Sequence, residues 1–240
     1  MEKLKFSEQL RKELIANISH DLRSPLASIQ GYLETIQMKE TDLKPEERDK
    51  YLRIIYDNTA MLNQLVGELF ELSKMDANQI QPQAEPFSMA ELAQDVVMKF
   101  IPKAEKLNIR LQTSLEKTIP PVFADIGMIE RALSNLIDNA LQYTPEHGQV
   151  DVIVAAIDAQ VRVTVKDTGY GIPPEEVPLV FERFYRVEKS RGRSGGGTGL
   201  GLTIARKKLE LHQRTISIKS VLDQGTTFWF DLRTVATASQ

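Results

Sequence analysis

The chain has no cysteine, one tryptophan and three histidines. Without cysteine there are no disulfides, thiolate metal sites or thiol nucleophiles, though this does not locate the protein. No apolar stretch approaches the ~18 residues of a membrane-spanning helix. The start, MEKLKFSEQL, is too polar for a secretory signal. A surplus of one charge sign is also missing: 30 Lys and Arg stand against 33 Asp and Glu, a net charge of −3. That balance argues against a general nucleic-acid or membrane-surface binder. What remains is an ordinary soluble composition, 42% hydrophobic and 26% charged over 240 residues. This is enough chain for one large or two ordinary domains with a sizeable core. The chain is expected to be soluble as it stands, which leaves room for its being one piece of a longer protein.

Residues 1–80 carry helical periodicity. Leu14, Ile18, Leu22, Leu26, Ile29, Leu33 and Ile36 recur at spacings of three and four, and after MKETDLKPEE so do Leu52, Ile55, Leu62, Leu65, Leu69 and Leu72. Pro45 suits a first helical turn. The pattern predicts an α-helical hairpin. Two helices alone bury such a stripe poorly, so pairing into a four-helix bundle, a homodimer, is expected. Prolines at 82 and 86 mark a boundary near residue 80. Residues 81–240 then mix helix and strand. Ser88 and Glu91 match a capping box, and IGMIERALSNLIDNALQYT reads as a long helix. QVDVIVAAI and QVRVTVKD alternate as a hairpin, and TISIKSV and GTTFWFDL close the chain as strands. The expected class is an α+β sandwich with helices on one face of a mixed sheet. No internal repeat is present, and KSRGRSGGGTG reads as a mobile loop.

Four stretches could carry chemistry. In ISHDLRSPL, His20 lies two residues from both Ile18 and Leu22, about 200° around a helix from each, so it points to solvent. A solvated surface histidine is the ordinary reading. Asp21 offers a second one: a carboxylate holding one ring nitrogen fixes the tautomer and leaves the other nitrogen nucleophilic. Pro25 removes a helical donor one turn on. His147 reads as a turn residue, and His212 as a helix end where a cation suits the dipole. Asn135 and Asn139 are four apart and share a helix face. They are either buried hydrogen-bonding amides or a hard oxygen ligand for phosphate-bound Mg2+. In VKDTGYGIP, a strand ends at Asp167 before two glycines that allow a tight turn and close backbone approach. A carboxylate there can accept from an exocyclic amine such as that of adenine. SGGGTGLGLTIARKK opens a helix with glycines, where backbone N–H groups and the dipole favour phosphate. It is neither a Walker A loop nor a Rossmann turn.

In this order the stretches resemble the catalytic core of two-component sensor histidine kinases, over nearly the whole chain. ISHDLRSPLASIQGYLE resembles the phosphoacceptor box, NLIDNALQYTP the asparagine box and DTGYGIP the first glycine box. FERFYR is similar to the phenylalanine box, GGGTGLGLTIARKKLELH to the second glycine box and GTTFWFDL to the final strand. The resemblance implies the nucleotide fold shared with the Hsp90 and gyrase ATPases. It also implies ATP and Mg2+, a homodimer, a response-regulator receiver domain as partner, and a cytoplasmic location, with a sensor or membrane segment upstream of residue 1. It makes His20 the phosphoacceptor, Asp21 the acidic neighbour that takes its proton, and Arg186 the arginine on the transferring phosphate. Asn139 becomes the Mg2+ ligand and Asn135 a phosphate-side residue, with Gln142 and Tyr143 beside them. Asp167, Gly169, Gly171, Ile172 and Thr227 fall at the adenine. Lys189, Gly197, Thr198, Gly199, Leu200 and Gly201 fall in the lid.

Three positions depart from the family pattern. Gln142 stands where lysine is usual, which weakens a phosphate contact unless Lys189, Arg191 or Arg193 replaces it. Ser24 stands where Thr or Asn would position a water for dephosphorylating the regulator. Gln213 stands where glycine is common, and only a local turn change is expected. Two other readings remain: a gyrase- or MutL-type ATPase, which lacks its carboxylate base because Asn135 holds that position, and a nucleotide-binding module that acts mainly as a phosphatase. Transfer to His20 further requires the linker near Pro82 to bend.

Overall fold

A computed structural model describes residues 22–39, 43–185 and 198–235. The chain divides into two compact units, Met1–Ser73 and Lys74–Gln240.

In the first unit, α1 (residues 22–38) runs helically through Pro25, and α2 (Pro45–Asp76) follows with Pro45 at its first position and Glu46 and Glu47 in its first turn. Acidic groups there complement the helix dipole. Tyr32 and Tyr51 meet across the hairpin at 5.1 Å between ring centres. Pro25 is buried and Ile29 and Ile36 half-buried, while Leu26 and Leu33 remain 49% and 43% exposed. The predicted stripe is therefore only partly covered by its own hairpin, because two helices present more apolar face than they can bury against each other.

The second unit begins with a short strand, β1 (Glu85–Phe87), antiparallel to β3 (Val122–Ala124). The sequence reading places no strand at β1. It is three residues long and holds Pro86, and strand periodicity needs longer runs. Next comes α3 (Met89–Lys106), whose N-cap Ser88 hydroxyl accepts the Glu91 N–H. After β2 (Arg110–Leu115) and β3, α4 (Ile126–Tyr143) starts at Asp125, whose side chain accepts the Met128 N–H. The remaining elements are β4 (Gln149–Ile157), β5 (Gln160–Asp167), α5 (Gly201–Leu211), β6 (Ile216–Val221) and β7 (Gly225–Arg233).

The five-stranded sheet has the order β2-β4-β5-β7-β6. Only β2–β4 is parallel, so the sheet is mixed, as the pattern predicts. Val150, Val152 and Val154 alternate inward on β4, Val161, Val163 and Val165 on β5, and Phe228, Phe230 and Leu232 on β7. Against them α4 buries Ile129, Leu133, Leu136, Ile137 and Leu141 completely or nearly so. Each such side chain contributes about 1.5–3 kcal/mol, so Leu136→Ala would cost ~2–5 kcal/mol once the cavity is included. The packing holds α4 rigidly over the sheet, which fixes the direction of the polar residues on its remaining face.

Candidate active site

Asp167 ends β5 on the inward face, 5% exposed. One carboxylate oxygen, Oδ1, accepts both the Gly169 N–H at 2.8 Å and the Thr226 N–H at 3.0 Å. The other oxygen makes no hydrogen bond among the described residues. Burial pushes this carboxyl above its ordinary value, and the two backbone donors offset that only in part. A carboxylate kept in such a place with a free oxygen is suited to accept from a buried donor of a ligand.

The loop after Asp167 is welded on both sides. Tyr170 N–H donates to the Tyr143 carbonyl at the end of α4, and the Tyr170 carbonyl accepts from Asp223 N–H at 2.7 Å. Gly171 has φ +64, and a Cβ there would lie 2.0 Å from the Val221 carbonyl oxygen, so no side chain fits. Ile172 N–H donates to the Ser220 hydroxyl at 2.8 Å. Gly169, Gly171 and Ile172 thus lie against Tyr143 on one side and the β6–β7 turn on the other.

The asparagines of α4 play different parts. Asn135 donates from Nδ2 to the Gly201 carbonyl at 3.0 Å, tying α4 to the first residue of α5. Asn139 is half-buried and makes no hydrogen bond among the described residues. Its amide oxygen is therefore available to a ligand. Gln142 and Tyr143 are half-buried on the next turn.

At the start of α5, Thr198 and Leu200 are buried, and Leu200 is a packing residue with no exposed surface. Gly199 has φ +72, and its carbonyl accepts the Phe184 N–H at 3.1 Å. A Cβ on Gly199 would lie 2.9 Å from the Phe184 Cα. Phe184 itself has φ 62, a conformation that costs a non-glycine residue about 1–2 kcal/mol. Strain of this kind persists where neighbours over-determine the backbone. They do so here: Phe181 is buried edge-on against Phe228, and its carbonyl accepts from the Thr203 hydroxyl at 2.9 Å. Residues 181–185 and 198–201 form one packed corner at the N-terminus of α5.

Two expectations change. Thr227 pairs with Lys166 and Lys219, on the sheet face opposite Asp167. The threonine beside Asp167 is Thr226, 6% exposed, whose N–H already holds the carboxylate. Strand alternation could have found it: Phe228, Phe230 and Leu232 are the buried parity, and Thr226 shares it. His212 is not a dipole-compensating cation. Its Nδ1 meets the Lys208 carbonyl at 2.7 Å and its Nε2 accepts the Asp125 N–H at 3.0 Å, which requires the neutral ring. His147 is in a turn, with φ 67. Ser24 is exposed on α1. His20, Asp21, Arg186, Lys189, Arg191, Arg193 and Gly197 lie outside the described residues.

The structure thus places Asn135, Asn139, Gln142 and Tyr143 on α4, Asp167, Gly169, Gly171 and Ile172 at the end of β5, and Thr198 to Gly201 at the start of α5, with α4 tied to the β5 loop through Tyr143 and to α5 through Asn135. Two family models match the chain. "His Kinase A (phospho-acceptor) domain" matches residues 10–78, and "Histidine kinase-, DNA gyrase B-, and HSP90-like ATPase" matches residues 124–236. The chain belongs to the sensor histidine kinases. This histidine-kinase core is 36% identical over 221 residues to Sensor protein SrrB of Staphylococcus aureus strain MRSA252, covering 92% of the chain and 38% of SrrB. It therefore spans about two fifths of the length of that relative. Among solved structures, histidine kinase ThkA in complex with response regulator protein TrrA is 27% identical, with TM-score 0.75, covering 98% of this chain and 67% of that one. Full-length ShkA in complex with AMPPNP is 27% identical, with TM-score 0.69, covering 93% and 46%.

Proposed function

We propose that this core phosphorylates His20 from Mg-ATP and passes the phosphoryl group to an aspartate of a response regulator. The observation that carries the reading is Asp167: a buried carboxylate with one oxygen committed to the backbone and the other without a hydrogen bond among the described residues, on a loop tied to the end of α4. Its free oxygen fits the amine of adenine. The N-terminus of α5 fits phosphate. Among the described residues no three His, Asp or Glu form a metal cluster. That fits a Mg2+ carried in on phosphate oxygens and met by one amide oxygen, Asn139. When bound, Mg2+ supplies charge neutralisation for the transferring phosphoryl group.

The chain's own groups do the rest. Asn135 holds the base of α5 so that its N–H groups keep their direction. Asp21 favours the tautomer of His20 that leaves the attacking nitrogen free, and accepts the ring proton as the N–P bond forms. Arg186 and Lys189 would offset charge that Gln142 does not. The exposed apolar residues of α1 and α2 support a homodimer, and the helical surface around His20 is the proposed docking face for the receiver domain. The proposed boundary near residue 80 falls between the two matched families. No helix among the described residues is long and apolar enough to cross a membrane. The core is proposed to work on the cytoplasmic side, below an upstream sensor.

The gyrase-type alternative needs a free carboxylate base near Asn139. Glu130 instead pairs with Lys99 at 2.5 Å and Asp138 pairs with Lys103, both on α3. Incubation with γ-labelled ATP tests the proposal. Acid-labile label on the wild type and none on His20→Gln is the expected result. Phosphate release without a phosphoenzyme would point to the ATPase.

A further inference from the structure

The sheet face turned away from Asp167 carries a cluster of charge of its own. Trp229, Asp231 and Arg233 take the outward positions of β7. Asp231 lies opposite Arg162 on β5, and Trp229 opposite Ser217 on β6. Beside them the turn from α5 into β6 closes a cleft of about 120 Å3, with Gln160, Arg214, Thr215, Ser217 and Trp229 in its wall. Apart from the indole ring, these side chains offer N–H and O–H groups.

Arg214 is the group that lacks a partner. Its Nε donates to the His212 carbonyl at 3.4 Å, and the rest of the guanidinium has no partner among the described residues. Burial and the neighbouring Arg233 guanidinium both push its pKa down, and Asp231 opposes them only in part. Among the described residues Asp231 is the one carboxylate in the cleft wall, and both its oxygens are taken. Arg162 meets Oδ1 from Nε and Oδ2 from Nη2, each at 2.7 Å. Such a bidentate pair is satisfied by itself. Arg214 and Arg233 are thus left without a matching carboxylate, in a chain whose net charge is −3.

We propose that this cleft binds a small oxyanion, inorganic phosphate or a short carboxylate, on the fork of Arg214. A guanidinium presents paired N–H groups that match two oxygens of either anion. The hydroxyls of Thr215 and Ser217 and the amide of Gln160 can donate to the same anion. Negative charge there also offsets the repulsion between Arg214 and Arg233. A volume near 120 Å3 admits phosphate or a chain of a few carbons and excludes a nucleotide. None of these residues belongs to the proposed nucleotide site.

Trp229 is the only tryptophan in the chain, so its fluorescence reports on the cleft. The test titrates the full chain with sodium phosphate and, separately, with sodium succinate through the millimolar range. Sodium chloride holds the ionic strength constant, and calorimetry runs alongside so that a silent indole hides nothing. A saturable signal with either anion is expected, and comparing the two separates phosphate from carboxylate as the ligand. Arg214→Gln is expected to weaken that binding by about 10- to 150-fold, the worth of a hydrogen bond to a charged group. Lys166→Gln removes an exposed charge further along the same face and should leave it within about twofold. No saturable signal by either method overturns the proposal. So does an equal loss in the two variants, which is the behaviour of a diffuse basic surface rather than a site.

Discussion

Asp167 illustrates how a single side chain is held for a task at a cost to folding. Its pKa is raised by burial, so the folded chain binds this proton more tightly than the unfolded one. The ionised group therefore subtracts stability as pH rises through the raised value, and the deficit is constant above it. Asp167→Asn removes the charge while its amide oxygen can still accept from Gly169 and Thr226. The variant is expected to melt no lower than wild type at pH 7, with any gain vanishing below the ordinary carboxylate range. Its Nδ2 would face the amine of adenine donor to donor, so ATP affinity should fall about 5- to 150-fold. Thermal melts at two pH values and calorimetric titration check both halves. Gln213 is the opposite case, a residue with no evident task in a costly conformation. Its φ is 56. Its N–H donates to Glu210 and that of Arg214 to Leu209, both at 2.8 Å, the Schellman pattern that normally takes glycine. Gln213→Gly is expected to raise stability by about 0.5–1 kcal/mol, since the relief of strain exceeds the added chain entropy. A chemical denaturation midpoint that moves down instead would refute this.

Among the elements, α4 is anchored through its N-cap, Asp125. Asp125 caps it through Met128 and also accepts the Gln83 N–H at 2.9 Å from the incoming linker. Burial acts to raise its pKa, the backbone N–H groups of Gln83, Met128 and Gly127 act to lower it, and the net shift is downward. Such a group contributes stability above the ordinary Asp value, and loses it as pH falls through the depressed one. Asp125→Ala should cost about 1 kcal/mol at neutral pH, roughly 2–4 °C in Tm for a unit of this size. The gap to wild type should close in acid, and a gap that persists there would assign the loss to packing. The sequence read α4 well because eight of its eighteen residues are buried at helical spacing. Ser88 was legible because a capping box is local. Asp125 is not legible as a cap from the helical pattern, which begins at Ile126, and it is pairing with β1 that ends the preceding strand at Ala124. Thr226 was missed for a related reason. Motif spacing puts either threonine of GTTF in reach, and the alternation of Phe228, Phe230 and Leu232 decides which side each one faces.

The whole molecule has two apolar surfaces of different kinds. That of the second unit closes on itself, with Val, Leu, Ile and Phe residues of three helices and the sheet in one core. That of the hairpin does not. Leu52 and Tyr56 on α2 are 46% and 74% exposed, Val66 and Phe70 are 56% and 62% exposed, and Leu26 and Leu33 on α1 also face outward. The two pairs on α2, with Thr59 and Asn63 between them, are exposed apolar patches of the kind that soluble monomers tend to cover. A second copy of the hairpin is the occupant expected from its self-complementary apolar pattern. Val66→Glu with Phe70→Glu should halve the mass measured by light scattering at micromolar concentration. The substitutions lie outside the nucleotide opening, so ATP affinity should stay within about twofold of wild type. Labelling of His20 from ATP is then the informative readout. If it falls with the mass, the proposed transfer runs between subunits or needs the bundle intact. If the mass is unchanged, the stripe serves another partner, and the proposed homodimer is wrong.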